Sequence, residues 1–179
     1  MKTLFLINGA MGVGKTTVSR ALQRILPDCA FVDGDMCWDI APFRVTEVRK
    51  ELVFSNAAYL LGAYLACGEV SNCVFCWVMQ RREIAEELLS RLDLRGMRLV
   101  RVTLTASEET VRARLAADVD AGRRTADIIA RAVSYLPCFE EETGAVRLRT
   151  DGRTAEELAR AIADMAAGNP ARGASYDET

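Results

Sequence analysis

One segment near the start constrains this chain more than any other: residues 9–16 read G-A-M-G-V-G-K-T. Residues 2–8, just before it, form a short apolar run typical of a buried parallel strand. Residues 17–26, just after it, carry apolar side chains at helical spacing. A strand, a glycine loop and a helix in this order point backbone N–H groups and a helix N-terminus at a polyphosphate. The segment therefore predicts an α/β fold with a phosphate-binding loop.

Each position of this loop has a chemical role in the prediction. Gly9 and Gly14 permit the tight turn and the close approach of the backbone to phosphate oxygens. Lys15 is expected to reach the β and γ phosphates, and the Thr16 hydroxyl to ligate Mg²⁺. The nucleotide contacts expected from the loop are Gly9, Ala10, Met11, Gly12, Val13, Gly14, Lys15, Thr16 and Thr17. We therefore expect the chain to bind a nucleoside triphosphate with Mg²⁺.

Length and charge narrow the class of protein. The 179 residues fit one domain with a sizeable core, and a net charge of −2 gives no basic field that would attract nucleic acid. No run approaches the roughly 18 apolar residues of a membrane span, and the start shows no signal-peptide pattern. We therefore expect a cytoplasmic protein without a membrane or nucleic-acid partner. Nothing in the sequence sets the oligomeric state.

The six cysteines do not form a convincing metal or disulfide pattern. Cys73 and Cys76 make the C-x-x-C, but they lie in a strand-like run, where residues three apart point to opposite faces. The chain has no histidine to complete a zinc site or to activate a nucleophile. We expect buried free thiols, with acid–base chemistry carried by carboxylates, lysine or water.

Apolar runs alternate with amphipathic stretches along the chain. Strands are expected at 2–8, 29–33, 72–78, 97–104 and 145–149. Helices are expected at 15–26, 46–67, 81–92, 107–119, 125–140 and 154–167. This alternation predicts a doubly wound, five-stranded parallel sheet with helices on both faces and ligands at the carboxyl ends of the strands. The domain is expected to span residues 1–168, followed by a disordered tail at 169–179.

Two carboxylates follow the second predicted strand, in the sequence Asp33-Gly34-Asp35. In an extended segment residues i and i+2 face the same side, so both side chains can point at the phosphate loop. Phosphoryl transfer to an alcohol uses one carboxylate to orient or deprotonate the acceptor and often another in the Mg²⁺ shell. The alternative is that these residues only end the strand and turn the chain.

The motif G-A-M-G-V-G-K-T-T followed by F-V-D-G-D resembles the small P-loop kinases of metabolites. Gluconate kinase, adenylylsulfate kinase, shikimate kinase and chloramphenicol phosphotransferase belong to this group. The runs D-G-D-M-C-W-D and F-C-W-V-M are similar to bacterial P-loop proteins described as nucleotide kinases. Over residues 2–165, the resemblance implies a P-loop NTPase fold that uses ATP and Mg²⁺. It also implies that Asp35 contacts the acceptor hydroxyl as a base and that Asp33 belongs to the Mg²⁺ shell.

The acceptor contacts are less sharply indicated. Residues 74–80 carry no acid, unlike the corresponding strand of motor-type NTPases. Arg81 and Arg82 follow, either as candidate contacts for an anionic group or as a solvated helix end. Trp38 and Trp77 can wall an acceptor pocket, although aromatic residues more often belong to the core. Arg44 lies ahead of the long predicted helix, where this fold class places its acceptor-binding segment.

A lid is expected at residues 116–126, because a kinase must exclude water from its transferred phosphoryl group. The helix breaks at Gly122, beside Arg123 and Arg124. The resemblance implies that one lid arginine stabilises the transferred phosphoryl group, and either of these two fits that role. The alternative for each is a surface ion pair with Asp118 or Asp120.

The adenine ring is expected to lie between two further elements. The resemblance implies that an arginine ahead of the lid stacks on adenine, a role that Arg112 or Arg114 can fill. Thr150, after the fifth predicted strand, occupies the place where these kinases meet the ring. The leading hypothesis is an ATP-dependent phosphotransferase acting on a small hydroxyl-bearing metabolite or natural product, or on a nucleotide. The alternative is a nucleotide-binding switch or weak ATPase without such an acceptor.

Overall fold

The computed structural model describes residues 1–140 and 144–168. Its strands are β1 (Thr3–Gly9), β2 (Cys29–Asp33), β3 (Asn72–Cys76), β4 (Arg98–Thr105) and β5 (Val146–Arg149). They pair in parallel in the order β2-β3-β1-β4-β5. The predicted five-stranded parallel sheet is therefore confirmed.

The helices surround this sheet. They are α1 (Lys15–Ile25), α2 (Glu47–Ala66), α3 (Arg82–Ser90), α4 (Glu108–Asp120), α5 (Asp127–Glu140) and α6 (Ala155–Ala167). Every predicted strand and helix begins and ends within about two residues of its expected bounds. Different methods of assigning the ends of helices and strands disagree by the same amount. A 3₁₀ helix over Gly34–Trp38, directly after β2, was not predicted.

Side-chain caps explain where two of the helices begin. The Ser107 hydroxyl accepts a hydrogen bond from the Thr110 N–H at the start of α4. Thr154 and Glu157 form a reciprocal capping box at the start of α6. Each cap satisfies N–H groups that have no partner within the helix, and such a cap stabilises a helix by about 1 kcal/mol.

Two apolar cores lie on opposite faces of the sheet. Leu4 and Leu6 of β1 pack with α2 and α3, whereas Phe5 and Ile7 pack with α1, α4, α5 and α6. All seven residues of β1 are buried, as expected for a central parallel strand covered on both faces. Helices on both faces of the sheet are therefore confirmed.

The same alternation separates the two cysteines of the C-x-x-C. Cys73 belongs to the core under α2 and α3, and Cys76 to the core on the other face. As predicted, the two thiols point to opposite sides of β3. All six cysteines are free.

The candidate lid joins α4 to α5. Helix α4 ends at Asp120, Gly122 adopts a left-handed φ of 67°, and α5 begins at Asp127. The break at Gly122 is therefore confirmed, while a lid function for residues 116–126 stays a prediction. The predicted tail, 169–179, lies outside the described residues. Within residues 1–140 and 144–168, no helix is both long and apolar enough to cross a membrane.

Candidate active site

The glycine loop lies at the carboxyl end of β1, where glycine is structurally required at two positions. Gly9 has a φ of 140°, and a Cβ there would overlap the Leu104 carbonyl oxygen of β4. Gly14 has a φ of 100° and precedes the first residue of α1. The first turn of α1 contains no acidic residue, so the positive end of the helix is free to face an anion.

Lys15 points back along this loop. Its ammonium group donates a hydrogen bond to the Ala10 carbonyl at 2.9 Å. Burial lowers the pKa of Lys15, and the charge of Arg124 acts in the same direction, whereas Asp35 and Asp33 act to raise it. The site therefore holds a partly desolvated cation beside the loop, in a position to contact phosphate oxygens.

Thr16 and Asp33 meet directly. The Thr16 hydroxyl donates a hydrogen bond to Oδ2 of Asp33 at 2.8 Å. Cys76, the register partner of Asp33 on β3, has its Sγ 4.0 Å from the same hydroxyl. Strand β3, next to β1, thus ends in the Cys76 thiol, and the Asp33 carboxylate comes from β2, the strand beyond β3. Hydroxyl and carboxylate oxygens are the ligands that Mg²⁺ prefers, so this pair fits the predicted metal contact.

Asp33 also begins the 3₁₀ helix. Its Oδ1 accepts a hydrogen bond from the Asp35 N–H at 3.1 Å. Side chains three residues apart eclipse in a 3₁₀ helix, and here Gly34 and Cys37 form the buried side. Asp35 and Trp38, also three apart, therefore share another side. The Asp33-Gly34-Asp35 segment therefore turns the chain and also places the Asp35 carboxylate at the site.

Trp77, just beyond β3, packs on this turn. A Cβ on Gly34 would lie 2.7 Å from Cδ1 and 2.8 Å from Cβ of Trp77. The Trp77 side chain also lies near enough to the Asp35 carboxyl to act to lower the pKa of Asp35. Trp77 is itself buried, with its ring 5.7 Å from that of Phe54. The chain has two tryptophans: Trp77 packs on the turn that carries Asp35, and Trp38 follows Asp35 by three residues in the 3₁₀ helix.

The Asp35 carboxyl group experiences opposing electrostatic effects. Protein atoms crowd it on one side although the residue is exposed on the other, and this partial desolvation raises its pKa, as does the Asp33 charge. Lys15, Arg124 and the Trp77 side chain act to lower the pKa of Asp35. The net effect is a raised pKa, which favours a carboxylate able to accept a proton.

Arg114 connects the phosphate loop to the turn after β5. Its guanidinium donates to the Val13 carbonyl at 3.1 Å, to the Thr150 hydroxyl at 3.0 Å and to the Thr150 carbonyl at 3.3 Å. Arg112 instead forms an exposed ion pair of 2.7 Å with Glu108. Of the two candidate adenine contacts, Arg114 is the one that the structure brings to the loop.

Asp151 supports the same turn and was not among the predicted site residues. It accepts hydrogen bonds from the Ser107 hydroxyl at 2.7 Å and from the Thr110 hydroxyl at 2.6 Å, and Arg149 lies 3.0 Å away. Burial acts to raise the pKa of Asp151, but these hydrogen bonds outweigh it and hold the pKa below its usual range. A carboxylate two residues after the fifth predicted strand is the sequence signal that could have identified this residue.

The two candidate lid arginines differ in their surroundings. Arg123 forms an exposed ion pair of 2.8 Å with Asp118, the alternative considered from the sequence. Arg124 lies 3.5 Å from the same carboxylate, and its charge acts on both Lys15 and Asp35. Of the two arginines, Arg124 is therefore the one whose charge reaches Lys15 and Asp35.

The remaining predicted acceptor residues lie at the open edge of the site. The rings of Trp38 and Phe43 are 5.8 Å apart and tilted by 53°. Arg44 and Arg81 are exposed, and neither guanidinium has a hydrogen-bond or ion-pair partner within residues 1–140 and 144–168. The structure brings Trp38 to Asp35 through the 3₁₀ helix, but it gives no direct contact between either arginine and the carboxylates.

A buried amide fixes the loop that carries Trp77. Asn8 Nδ2 donates to the Met79 carbonyl at 2.9 Å, and the Met79 N–H donates to Asn8 Oδ1 at 2.8 Å. Both residues are almost fully buried. Sequence reasoning missed this clamp, although a polar residue inside an otherwise apolar central strand is a signal for one.

Comparison with known proteins supports this view of the fold. A family model described as AAA domain (AAA_18) matches residues 6–133, more than half of the chain. Among curated proteins, none matches the chain in sequence.

Solved structures match over nearly the whole chain. The tunicamycin resistance protein of Deinococcus radiodurans is 20% identical with a TM-score of 0.67, covering 93% of this chain and 96% of that one. A gluconokinase from Sinorhizobium meliloti 1021 is 17% identical with a TM-score of 0.64, covering 93% and 94%. The Mycobacterium tuberculosis APS kinase CysC, solved with AMPPNP and APS, is 16% identical with a TM-score of 0.67, covering 93% and 98%. At these identities the likeness establishes the fold.

The family match and the structural matches agree with the resemblance found in the sequence. The chain belongs to the AAA domain family that this model describes, and its fold is that of the small P-loop kinases.

Proposed function

We propose that this protein transfers the γ-phosphoryl group of ATP to a hydroxyl group of a small molecule. The observation that carries the proposal is the 2.8 Å hydrogen bond between Thr16 and Asp33, with Asp35 two residues further on. This contact joins the phosphate loop to a pair of carboxylates at the carboxyl end of β2. Phosphoryl transfer to an alcohol needs both groups in one place.

The nucleotide is held by the loop and by the turn after β5. Backbone N–H groups of residues 9–17 and the start of α1 face the phosphates, and Lys15 exchanges its bond to Ala10 for phosphate oxygens. Adenine lies near Arg114 and Thr150, whose mutual hydrogen bonds support this assignment. These residues would hold the nucleotide in the loop beside Asp35.

Magnesium is assigned to Thr16 and Asp33, whose oxygen atoms fit it. When bound, Mg²⁺ supplies positive charge that offsets the negative charge on the β and γ phosphates. The hydroxyl and the carboxylate of this pair already lie in contact, so the protein has little rearrangement to make.

Asp35 acts as the base toward the acceptor. Its carboxylate accepts the hydroxyl proton while the acceptor oxygen bonds to the γ-phosphorus and the bond from that phosphorus to the β-phosphate oxygen breaks. ADP leaves, and the acceptor becomes a phosphate ester. The raised pKa of Asp35 suits this role, because a base is most effective when its pKa lies near the working pH.

The lid completes the site. Arg124 is the arginine that we assign to the charge of the transferred phosphoryl group, because its charge already acts on Lys15 and Asp35. Closure of residues 116–126 excludes water, which would otherwise accept the phosphoryl group. Trp38, Arg44 and Arg81 are the candidate contacts for the body of the acceptor.

The experiment that tests the proposal is a transfer assay with γ-labelled ATP and Mg²⁺. Acceptors include nucleosides, nucleoside monophosphates, sugar acids and alcohol-bearing natural products, each run beside Lys15→Ala. The expected result is label on an acceptor, lost in Lys15→Ala and lost in Asp35→Asn while ATP binding is retained. ATP binding with slow phosphate release and no labelled acceptor would refute the proposal and favour a nucleotide-binding switch.

A further inference from the structure

We propose that Asp118 is a positioning residue that orients the guanidinium of Arg124 toward the transferred phosphoryl group. This inference rests on the proposed function, which assigns Arg124 to that group. Its basis is the turn between α4 and α5, where one carboxylate contacts two successive arginines. Asp118 thus acts on the reaction through Arg124 and not by contact with the substrates.

Two main-chain hydrogen bonds fix this turn at the end of α4. The Arg123 N–H donates to the Asp118 carbonyl at 2.9 Å, and the Gly122 N–H donates to the Val119 carbonyl at 2.9 Å. With Gly122 at a left-handed φ of 67°, this pair of bonds is the Schellman motif that commonly ends a helix. The motif brings the side chains of Asp118 and Arg123 together, because its first and sixth residues lie side by side.

The Asp118 carboxylate divides its two oxygen atoms between the two arginines. Oδ1 accepts hydrogen bonds from Nε and Nη2 of Arg123, at 2.9 Å and 2.8 Å. Oδ2 lies 3.5 Å from Nε of Arg124. Arg123 is therefore held by both its main chain and its side chain, whereas the Arg124 side chain is held near one nitrogen only.

Arg124 keeps its hydrogen-bonding capacity for a ligand. Among the residues that the structure describes, its guanidinium makes no hydrogen bond, and 40% of the side chain is exposed. Its main chain lies between two fixed turns, because the next residue, Thr125, accepts a hydrogen bond from the Ile128 N–H at the start of α5. An arginine with an ordered main chain and free terminal nitrogens is preorganised for the forked contact that a guanidinium makes with phosphate oxygens.

Asp120 provides the matched comparison at the same helix end. It is exposed, and its carboxylate has no hydrogen bond or ion pair within residues 1–140 and 144–168. Of the two acidic residues that the sequence places beside the arginines, only Asp118 contacts them. Asp120→Asn therefore removes the same charge from the same turn without breaking a contact.

The test is a double-mutant cycle of Asp118→Asn, Arg124→Ala and the two changes together, with Asp120→Asn as control. Asparagine keeps the shape of Asp118 but has one oxygen, so it serves only one arginine and turns its amide nitrogen toward the other. The first readout is kcat and KM for ATP, in phosphoryl transfer or in phosphate release. The second is the affinity of the full-length protein for ADP with aluminium fluoride and Mg²⁺, which mimics the transferred phosphoryl group.

Asp118→Asn is expected to lower kcat about ten-fold and to weaken binding of the aluminium fluoride complex by a similar factor, because a misdirected arginine stabilises the transition state less well. ATP affinity should change less than about two-fold, as expected for an interaction made only in the transition state. In the Arg124→Ala background, Asp118→Asn should have no further effect. Asp120→Asn should keep every readout within about two-fold of wild type, since an exposed charge without a partner contributes little.

Two results would overturn the inference. One is an Asp118→Asn variant whose kcat and affinity for the aluminium fluoride complex equal those of wild type. The other is an equal loss in the wild-type and Arg124→Ala backgrounds, which would show that Asp118 does not act through Arg124. Failure of the wild-type protein to label any acceptor would refute the proposed kinase, whereas the titration with ADP and aluminium fluoride would still decide the role of Asp118.

Discussion

Gly34 and Trp77 are packed so closely that the turn between the two carboxylates tolerates no side chain. Any Cβ on Gly34 would lie within 3 Å of the indole ring, which is buried and cannot move away cheaply. The same tryptophan acts on the Asp35 carboxyl and lowers its pKa. This contact therefore couples backbone packing to the position of the proposed base.

Gly34→Ala is expected to lower kcat about 100-fold, because a displacement of about 1 Å at a reacting group has this effect. ATP affinity should change little, since the phosphate loop is not touched. Gly62→Ala is the matched control, because a Cβ there meets no atom within 4 Å and alanine favours the interior of α2. Steady-state kinetics with a nucleotide-binding titration would check both variants, and an active Gly34→Ala enzyme would contradict the packing argument.

Asp35→Asn is expected to stabilise the folded protein at neutral pH while abolishing transfer. Because the pKa of Asp35 is raised in the folded state, its contribution to stability is present below the ordinary aspartate pKa of about 3.9 and is lost as pH rises through the raised value. Asparagine cannot ionise and avoids that loss. Thermal unfolding measured between about pH 3.5 and 7.5 should show that Asp35→Asn is more stable than wild type, by an amount that shrinks toward acid pH.

The control for Asp35→Asn is Asp39→Asn, which removes the same charge from an exposed position four residues away. Asp39→Asn should raise the stability of the folded protein by less than Asp35→Asn does. Equal gains for the two variants at every pH would show that net charge, rather than the surroundings of Asp35, sets the effect.

Asp151→Asn is expected to destabilise the fold by about 1–3 kcal/mol at neutral pH, since Ser107 and Thr110 would lose a charged acceptor. The pKa of Asp151 is held low, so its stabilisation is present above the ordinary value of about 3.9 and is lost as pH falls through the lowered value. Denaturant unfolding should therefore show a difference from wild type that narrows in acid. A difference that does not depend on pH would contradict this account.

Arg114→Ala is expected to weaken ATP binding about ten-fold or more, because Arg114 holds the phosphate loop and the turn after β5 together. Hydrogen bonds from a charged donor such as this contribute about 1.5–3 kcal/mol. Arg112→Ala breaks only an exposed ion pair, a contact that contributes about 0–1 kcal/mol, and should change binding by less than about five-fold. Calorimetric titration at fixed Mg²⁺ would compare the two. Equal losses of ATP affinity in the two variants would contradict the assignment of Arg114, rather than Arg112, to the nucleotide site.

Arg124→Ala is expected to lower kcat about 10²–10³-fold without a comparable change in ATP affinity, because its charge acts on the transferred phosphoryl group. Arg123→Ala removes an exposed ion pair with Asp118 and should lower kcat less than about five-fold. Single-turnover kinetics would separate this effect from product release. The opposite order of losses would assign the catalytic role to Arg123.

The sequence by itself determined the fold and the phosphate loop. Periodicity and glycine placement are local properties, so the strands, the helices and the roles of Gly9 and Gly14 could be read from neighbouring residues. The extended-segment argument for a common side of Asp33 and Asp35 was wrong, because β2 ends at Asp33 and Asp35 lies in the 3₁₀ helix that follows.

Only the tertiary structure decided which distant side chains meet. Asp33 reaches Thr16 past Cys76 because β2 lies beyond β3 in the sheet, an order that no local pattern encodes. The choice of Arg114 over Arg112 depends in the same way on contacts more than thirty residues apart. The sequence of a helix does not show which neighbouring element each of its faces packs against. Only three-dimensional packing therefore distinguishes Arg114, which bonds to the phosphate loop, from Arg112, which forms a solvated ion pair.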